Sequence, residues 1–264
     1  MIDFSRLSFL GAGGLGRLAE TDVVVVGAGG GGSHLVQQLA HLAVKRITVI
    51  DPDNLENSNV NRVVGTDYDD VGQSKASLLA RRFGALGSQI VPLVDTVESG
   101  NGIAALQRSD LCIAAVDGFG TRHIIEYFCR MAHVPLIDIG MQITVRDGRP
   151  ISAGGQIVTS LPGDLCFWCL EFLTDARLAL ERQEYAPRGT AFAQQVISVN
   201  GLLASQAVIN ALAIITGFLG KSSVSKYLVY NALRHTLSEE MIVSLKAGVT
   251  CEHYPLSRAG WFAR

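Results

Sequence analysis

Four consecutive valines at 23–26 run into Gly27-Ala28-Gly29-Gly30-Gly31-Gly32, a helical pattern follows from Ser33, and Ile47, Thr48, Val49 and Ile50 lead to Asp51. Short β-branched runs on either side of a helix make a strand–helix–strand unit, whose two strands lie parallel in one sheet. The glycine spacing gives that unit a task. Gly27 permits a tight turn, Gly29 lets backbone come close to a phosphate, and Gly32 lets the helix lie close on the strand. Gly30 belongs to the same turn as a candidate binding position, and the N–H groups at the helix start can hold an anion. Asp51, at the end of the second strand, can take a pair of ribose hydroxyls. The chain is therefore expected to be α/β and to bind a nucleotide.

Residues 51–62 narrow this further. The stretch carries Asp51, Asp53, Asn54, Asn57, Ser58, Asn59, Asn61 and Arg62, and it follows the carboxyl end of the second strand at the mouth of the crevice. Hydride transfer builds no phosphate charge there, whereas a triphosphate under attack needs donors and cations around it. A second glycine cluster, Gly11-Ala12-Gly13-Gly14-Leu15-Gly16, has the same spacing without a preceding strand and reads as a loop or helix break.

Further along, residues 72–86 have helical spacing, with Lys75 in the first turn. A strand at 90–97, a short helix at 103–107 and a buried strand at 111–116 lead to Asp117. Asp117 has two readings, a carboxylate ligand for Mg2+ or an N-cap for a helix over 121–132. Lys75 reads either as a solvated charge or as a phosphate ligand. A strand at 135–139 is followed by a hairpin pattern, 142–145 and 155–159 around a turn at Asp147-Gly148. A long apolar helix at 201–219 and strands at 226–230 and 241–245 close the chain. Cys166 and Cys169 stand at metal-ligand spacing after a turn, a pattern shared by redox pairs and structural metal sites. Cys112 and Cys129 fall on apolar elements and read as structural.

Gly27 to Gly32, Asp51-x-Asp53, Ser58-Asn59-x-Asn61-Arg62, Lys75 in Gly72-Gln73-Ser74-Lys75, and Asp117 in Ala115-Val116-Asp117-Gly118 occur in one order over about ninety residues. In this the sequence resembles the ubiquitin-activating-like adenylating enzymes that include the ThiF, MoeB and HesA proteins. The resemblance implies a Rossmann-like, doubly wound, mostly parallel sheet continued by antiparallel strands that form a platform for a protein substrate. It implies ATP and Mg2+, with Arg62 and Lys75 on the phosphates, Asp117 on the metal, Asn59 positioning phosphate or carboxylate oxygens, and Asp51 on the ribose beside Asp53. Arg6 is either a solvated charge or, as in the family, an arginine that reaches the triphosphate across a homodimer. It also implies structural Zn2+ on Cys166 and Cys169, completed by a second cysteine pair near the C-terminus. Here the sequence departs, offering Cys251 and His253 instead. Many relatives carry a catalytic cysteine in the crossover segment matching residues 174–195, and this chain has none between Cys169 and Cys251.

The implied reaction is ATP-dependent adenylation of the C-terminal carboxylate of a ubiquitin-like β-grasp protein, for conjugation through a conjugating-enzyme-like carrier or for sulfur transfer. Two rivals are adenylation of a peptide or tRNA-base carboxylate and an NAD-dependent oxidoreductase. A net charge of −2 gives no electrostatic footprint for nucleic acid. The apolar helix at 201–219 is interrupted by polar residues, which suits a buried or subunit-facing helix better than a membrane span. The start of the chain lacks a signal-peptide pattern and five cysteines suit reduced thiols, so a cytoplasmic setting is expected. The 264 residues, 48% hydrophobic, are expected to form one adenylation domain, with an N-terminal segment (1–22), a nucleotide-binding half (23–140) and a substrate, zinc and dimer half (141–264).

Overall fold

The structure, a computed structural model, describes residues 3–184, 194–220 and 224–258. In chain order its regular elements are α1 (Gly11–Glu20), β1 (Asp22–Val26), α2 (Gly30–His41), β2 (Arg46–Ile50), α3 (Lys75–Phe83), β3 (Gln89–Leu93), α4 (Gly100–Arg108), β4 (Leu111–Ala114) and α5 (Phe119–Met131). Then follow β5 (Leu136–Arg146), β6 (Arg149–Ser160), α6 (Asp175–Glu184), α7 (Ile197–Thr216), β7 (Tyr227–Asn231), β8 (Thr236–Glu239) and α8 (Met241–Leu245). The strands form one sheet in the order β3-β2-β1-β4-β5-β6-β7-β8. Pairing is parallel from β3 to β5 and antiparallel from β5 to β8. The expected sheet is present.

Alternation along the strands sorts side chains into two cores. Val23, Val25, Ile47, Val49, Ile113 and Ile137 face one side, where α2, α3 and α7 cover them. Val24, Val26, Ile50, Cys112, Ala114 and Leu136 face the other, beneath α4 and α5, with Phe167 and Phe172 filling the gap. Period-2 alternation with both faces apolar requires helices on both sides. The order 2-1-4 places β1 and β4 side by side where the chain reverses its direction of winding. In such sheets the crevice beyond the carboxyl ends of those two strands receives the ligand.

Several expected elements differ. The glycine cluster at 11–16 is part of α1, not a loop. Glycine is a poor helix former, but here a Cβ on Gly14 would come within 3.1 Å of Leu10 Cβ while meeting Thr216 of α7 at an ordinary 3.5 Å, and Leu10 and Leu18 are buried on either side. Arg17 donates to the carbonyls of Ile215 and Thr216, tying α1 to the C-terminal end of α7. Residues 241–245 form the helix α8, not a strand; the strand position beside β7 is taken by Thr236–Glu239. Helix α2 begins at Gly30, three residues before Ser33, and α5 begins at Phe119 rather than 121. The hairpin is present, turning at Asp147 (φ 52°) and Gly148 (φ 72°), the two positive angles of the tight turn that suits strand twist. Its first strand is the continuous extension of β5.

Helix α7 is the one described helix long and apolar enough to cross a membrane, and 56% of its apolar window is buried. It packs on α2, β5 and β6. Its buried Asn210 has protein partners: Nδ2 donates to Thr159 Oγ1 at 3.2 Å and to the Ser225 carbonyl at 3.3 Å.

Candidate active site

The glycine loop takes the form its spacing predicts. Gly27 has φ 91°, and its N–H donates to the Ile50 carbonyl at 2.8 Å. A Cβ on Gly27 would lie 2.4 Å from the Ala115 carbonyl, and one on Gly32 would lie 1.8 Å from the Gly27 carbonyl. Only glycine lets α2 pack this tightly against the turn. Gly32→Ala is therefore expected to destabilise the protein by roughly 1–3 kcal/mol, as other overpacked sites do, measured as a lowered urea midpoint.

The N-terminus of α2 opens into a crevice of about 410 Å³, lined by Gly27, Gly29 and Gly30 on the loop side and by Asp51, Asp53, Asn59, Arg62, Lys75 and Asp117. Two of the expected residues stand elsewhere. Gly32 is buried beneath the loop. Arg6 is exposed in a short 3-10 turn, Ser5–Leu10, and does not line the crevice.

Asp51 is 6% exposed. Its Oδ2 accepts from the Ala28 N–H at 2.6 Å and its Oδ1 from the Asp53 N–H at 2.8 Å. Burial pushes its pKa up, while those two N–H bonds and the charge of Lys75 pull it down. The carboxylate thus braces the glycine loop as well as facing the crevice. Lys75 is the first residue of α3, behind the N-cap Ser74. Its side chain is 12% exposed, and its ammonium pairs with Asp53 at 3.0 Å.

The loop carrying Asn59 and Arg62 is fixed to α2 by Ser33, whose hydroxyl donates to the Gly30 carbonyl and accepts from the Val64 N–H, each at 3.0 Å. Asn59 is 6% exposed, and its Oδ1 accepts from the Glu56 N–H at 3.3 Å. Arg62 is half-buried, with Nη1 donating to the Ser58 carbonyl.

Asp117 follows β4 and is exposed on the crevice wall. It is not the N-cap of α5; Gly118 holds that position. The turn is held from below by Arg122, which donates Nη1 to the Asp117 carbonyl at 3.3 Å. Arg122 and Asp138 are 5% and 0% exposed and form an ion pair at 3.0 Å. Burial pushes the Asp138 carboxyl up to about 6 against the pull of the guanidinium, so the pair is charged at neutral pH.

Sequence reasoning missed this pair, although an aspartate inside the apolar run Leu136-Ile137-Asp138-Ile139 was a usable signal. It also missed Asp95 and Glu98 on the rim near β3, and Gln195 and Asn200 at the start of α7. Glu181 of α6 was missed as well; its carboxylate accepts from the Gly120 N–H at 2.8 Å in the first turn of α5.

A second cluster lies apart from the crevice. The ligand atoms of Cys166, Cys169, Cys251 and His253 all lie within 4.8 Å of one another. The two sulfurs are 3.6 Å apart, and His253 Nδ1 is 3.5 and 3.4 Å from them. Thiolates about 2.3 Å from a tetrahedral zinc sit roughly 3.7 Å from each other, so the donor set and its spacing fit a Cys3His ion site. Burial raises the thiol pKa of Cys166 and Cys169 in the metal-free protein. The turn that presents Cys166 rests on a buried network. Ser160 Oγ donates to Glu126 Oε1 at 2.6 Å and accepts from Arg130 Nε at 2.9 Å. Glu126 Oε1 also accepts from the Phe167 N–H at 2.7 Å, and Arg130 Nη2 donates to the carbonyls of Asp164 and Leu165 at 3.0 and 2.7 Å. Burial pushes the Glu126 carboxyl up to about 7.

Comparison with known proteins converges on one family. The ThiF family model matches residues 4–251. The SAMP-activating enzyme E1 of Haloferax volcanii is 34% identical over 163 residues, which are 61% of this chain and 57% of that one. The sulfur carrier protein adenylyltransferase of Thermus thermophilus is 35% identical over 134 residues, 48% of each chain. This chain thus spans about half the length of the curated relatives it matches. Among solved structures, E. coli MccB with ATP superposes with a TM-score of 0.73 at 20% identity, over 90% of this chain and 70% of that one, a likeness of fold.

Proposed function

Because the chain belongs to the ThiF family, we propose that its crevice adenylates the C-terminal carboxylate of a ubiquitin-like β-grasp protein. A carboxylate oxygen attacks the α-phosphorus of ATP, the bond to the β-phosphate oxygen breaks, and pyrophosphate leaves with that electron pair, giving an acyl-AMP. The observation that carries this reading is the convergence of opposite charges on one nucleotide-sized crevice. Arg62, Lys75 and the α2 N-terminus line it together with Asp117.

Both reactants are anionic, so orientation and charge neutralisation supply most of the acceleration. Arg62 and Lys75 take the phosphates, Lys75 leaving Asp53 to do so. Asn59 positions phosphate or carboxylate oxygens, and Asp51 faces the ribose while bracing Ala28. Asp117, an exposed oxygen donor in a crevice that Asp53 and Asp95 also line, suits a hard cation. Asp117 would hold Mg2+ there, which would supply charge neutralisation for the diphosphate. Zn2+ on Cys166, Cys169, Cys251 and His253 is structural.

Cys112 and Cys129 are buried, and the other three cysteines belong to the metal cluster. The acyl-AMP therefore has no free thiol to form a thioester within this chain, and it passes to a nucleophile on another protein, such as a conjugating-enzyme-like carrier or a sulfur donor. Leu202 and Ile209 leave an apolar stripe exposed on α7, which suits a homodimer in which Arg6 of one protomer serves the crevice of the other. The chain forms one adenylation domain working in the cytoplasm.

ATP–pyrophosphate exchange measured with small β-grasp proteins tests the reading. Exchange that depends on one such protein, and a thermal shift with ATP–Mg2+ but not NAD, are expected. A shift with NAD alone would overturn it.

A further inference from the structure

One buried amide in the crevice has no use in the nucleotide chemistry. Asn200, in the first turn of α7, is 4% exposed and lines the crevice. Its Nδ2 reaches only Gln195 Oε1, at a long 3.4 Å, and its Oδ1 accepts no hydrogen bond from a described residue. It stands over the start of α2: a Cβ on Gly30 would lie 2.3 Å from Asn200 Nδ2 and 3.4 Å from Arg62 Cγ. The amide is thus beside the start of α2 and Arg62, where in the proposed reaction the carboxylate oxygen meets phosphorus. A phosphate offers acceptors alone and cannot satisfy Oδ1.

The opposite wall offers the complementary feature. β5 pairs with β4 only as far as Asp138, opposite Ala114. Its next partner on that side is Gln194, which bridges Ile143 in antiparallel sense. The Pro135 carbonyl points toward β4, accepting from the Cys112 N–H at 2.9 Å. By alternation the N–H and C=O of Met141 point the same way, into the crevice, and take no partner there among the described residues. The Gly140 carbonyl points the other way, toward β6. Asn200 and this strand edge are neighbours: Ile139 lies against Gly31, next to Gly30 beneath Asn200, and Leu203, one turn after Asn200, packs beside Met141 at Gly155.

A strand edge facing a carboxamide, each with unused hydrogen-bonding groups among the described residues, is a slot for an extended peptide, because each wall offers one donor and one acceptor to a backbone that needs both. We infer that Asn200 and the Met141 edge of β5 together grip the last peptide unit of a polypeptide acyl substrate and so make Asn200 a specificity-determining residue. Asn200 Oδ1 accepts the N–H of the final residue, and the Met141 backbone pairs with the residue before it, which leaves the terminal carboxylate beside Gly30 and Arg62. This rests on the adenylation reading and adds which groups of this chain hold the final peptide unit.

The test uses the full chain and a pooled library of synthetic hexapeptides with free C-terminal carboxylates, with acyl-AMP detected by mass spectrometry. The best peptide is then compared with its analogue N-methylated at the last peptide bond, in wild type and in Asn200→Ala. Methylation is expected to lower kcat/KM about tenfold or more in wild type, as sites built around a hydrogen bond reject analogues lacking it. Asn200→Ala is expected to raise the peptide KM by a similar factor, keep the Kd for ATP within about twofold, and respond little to methylation. Asn200→Leu, which fills the volume, gives the same result if the alanine variant does not fold. An equal methylation penalty in wild type and variant overturns the inference. So does a wild type that binds ATP–Mg2+ yet forms acyl-AMP with no peptide, an outcome that leaves the nucleotide reading standing. Failure to bind ATP at all sinks the adenylation reading itself.

Discussion

Asp117→Ala is expected to lower ATP–pyrophosphate exchange by about a hundredfold or more, the scale of losing one group that neutralises transition-state charge, with an unchanged melting temperature. The two readouts separate because of where the residue stands. Its carboxylate is exposed and fills no cavity, while the turn that carries it is held through the backbone, by Arg122 donating to the Asp117 carbonyl. Truncating the side chain therefore removes charge without removing support. Asp117→Asn should fall nearly as far, since a carboxamide keeps the shape and loses the charge. Exchange at the wild-type rate in either variant would strip Asp117 of its role, and a large drop in melting temperature would show that it acts on the fold instead.

Loss of the Cys3His cluster is expected to be the largest effect on stability. Cys166 is fully buried, in a small core with Cys251 and Tyr254, and binding of a structural metal is folding energy. Cys166→Ser should lower the melting temperature by roughly 10 °C, given about 2–4 °C per kcal/mol in a domain of this size, and should leave the purified protein without stoichiometric zinc. His253→Ala should bind zinc more weakly yet melt closer to wild type, because that ring is exposed. Zinc content by mass spectrometry and melts with and without chelator measure both. A wild-type protein that contains no zinc and melts unchanged in chelator would sink the assignment.

The nucleotide half was readable because its signals are local. Four valines, a glycine spacing and a helix start fix one strand–turn–helix, and Asp51, Asn59, Arg62 and Lys75 follow within fifty residues, on loops whose positions that unit dictates. The groups that were missed come from distant segments. Asn200 is separated from Gly30 by 170 positions of sequence, and only the packing of α7 on α2 brings them together. Arg122 gave no periodic signal, since its charge is spent on Asp138 inside the sheet layer. Local reasoning also failed where packing overrode propensity. Helix α1 holds its glycines because Arg17 ties it to the end of α7 and Leu10 and Leu18 are buried, and the apolar residues of α8 look strand-like while the less apolar Thr236–Glu239 pairs with β7. Cys251 and His253 are too close in sequence for the usual knuckle, yet they meet Cys166 and Cys169 in space.

One strand, β5, belongs to both the parallel and the antiparallel part of the sheet. Its 11 residues make a rod of about 36 Å at 3.3 Å per residue, and its one irregularity, at Thr144/Val145, lies outboard of the crevice. The described sheet has no break at this boundary. A partner lying along β5 inboard of that irregularity would be held in fixed alignment with the glycine loop, so length measured along the visitor, from its body to its end, becomes a ruler that the scaffold cannot stretch.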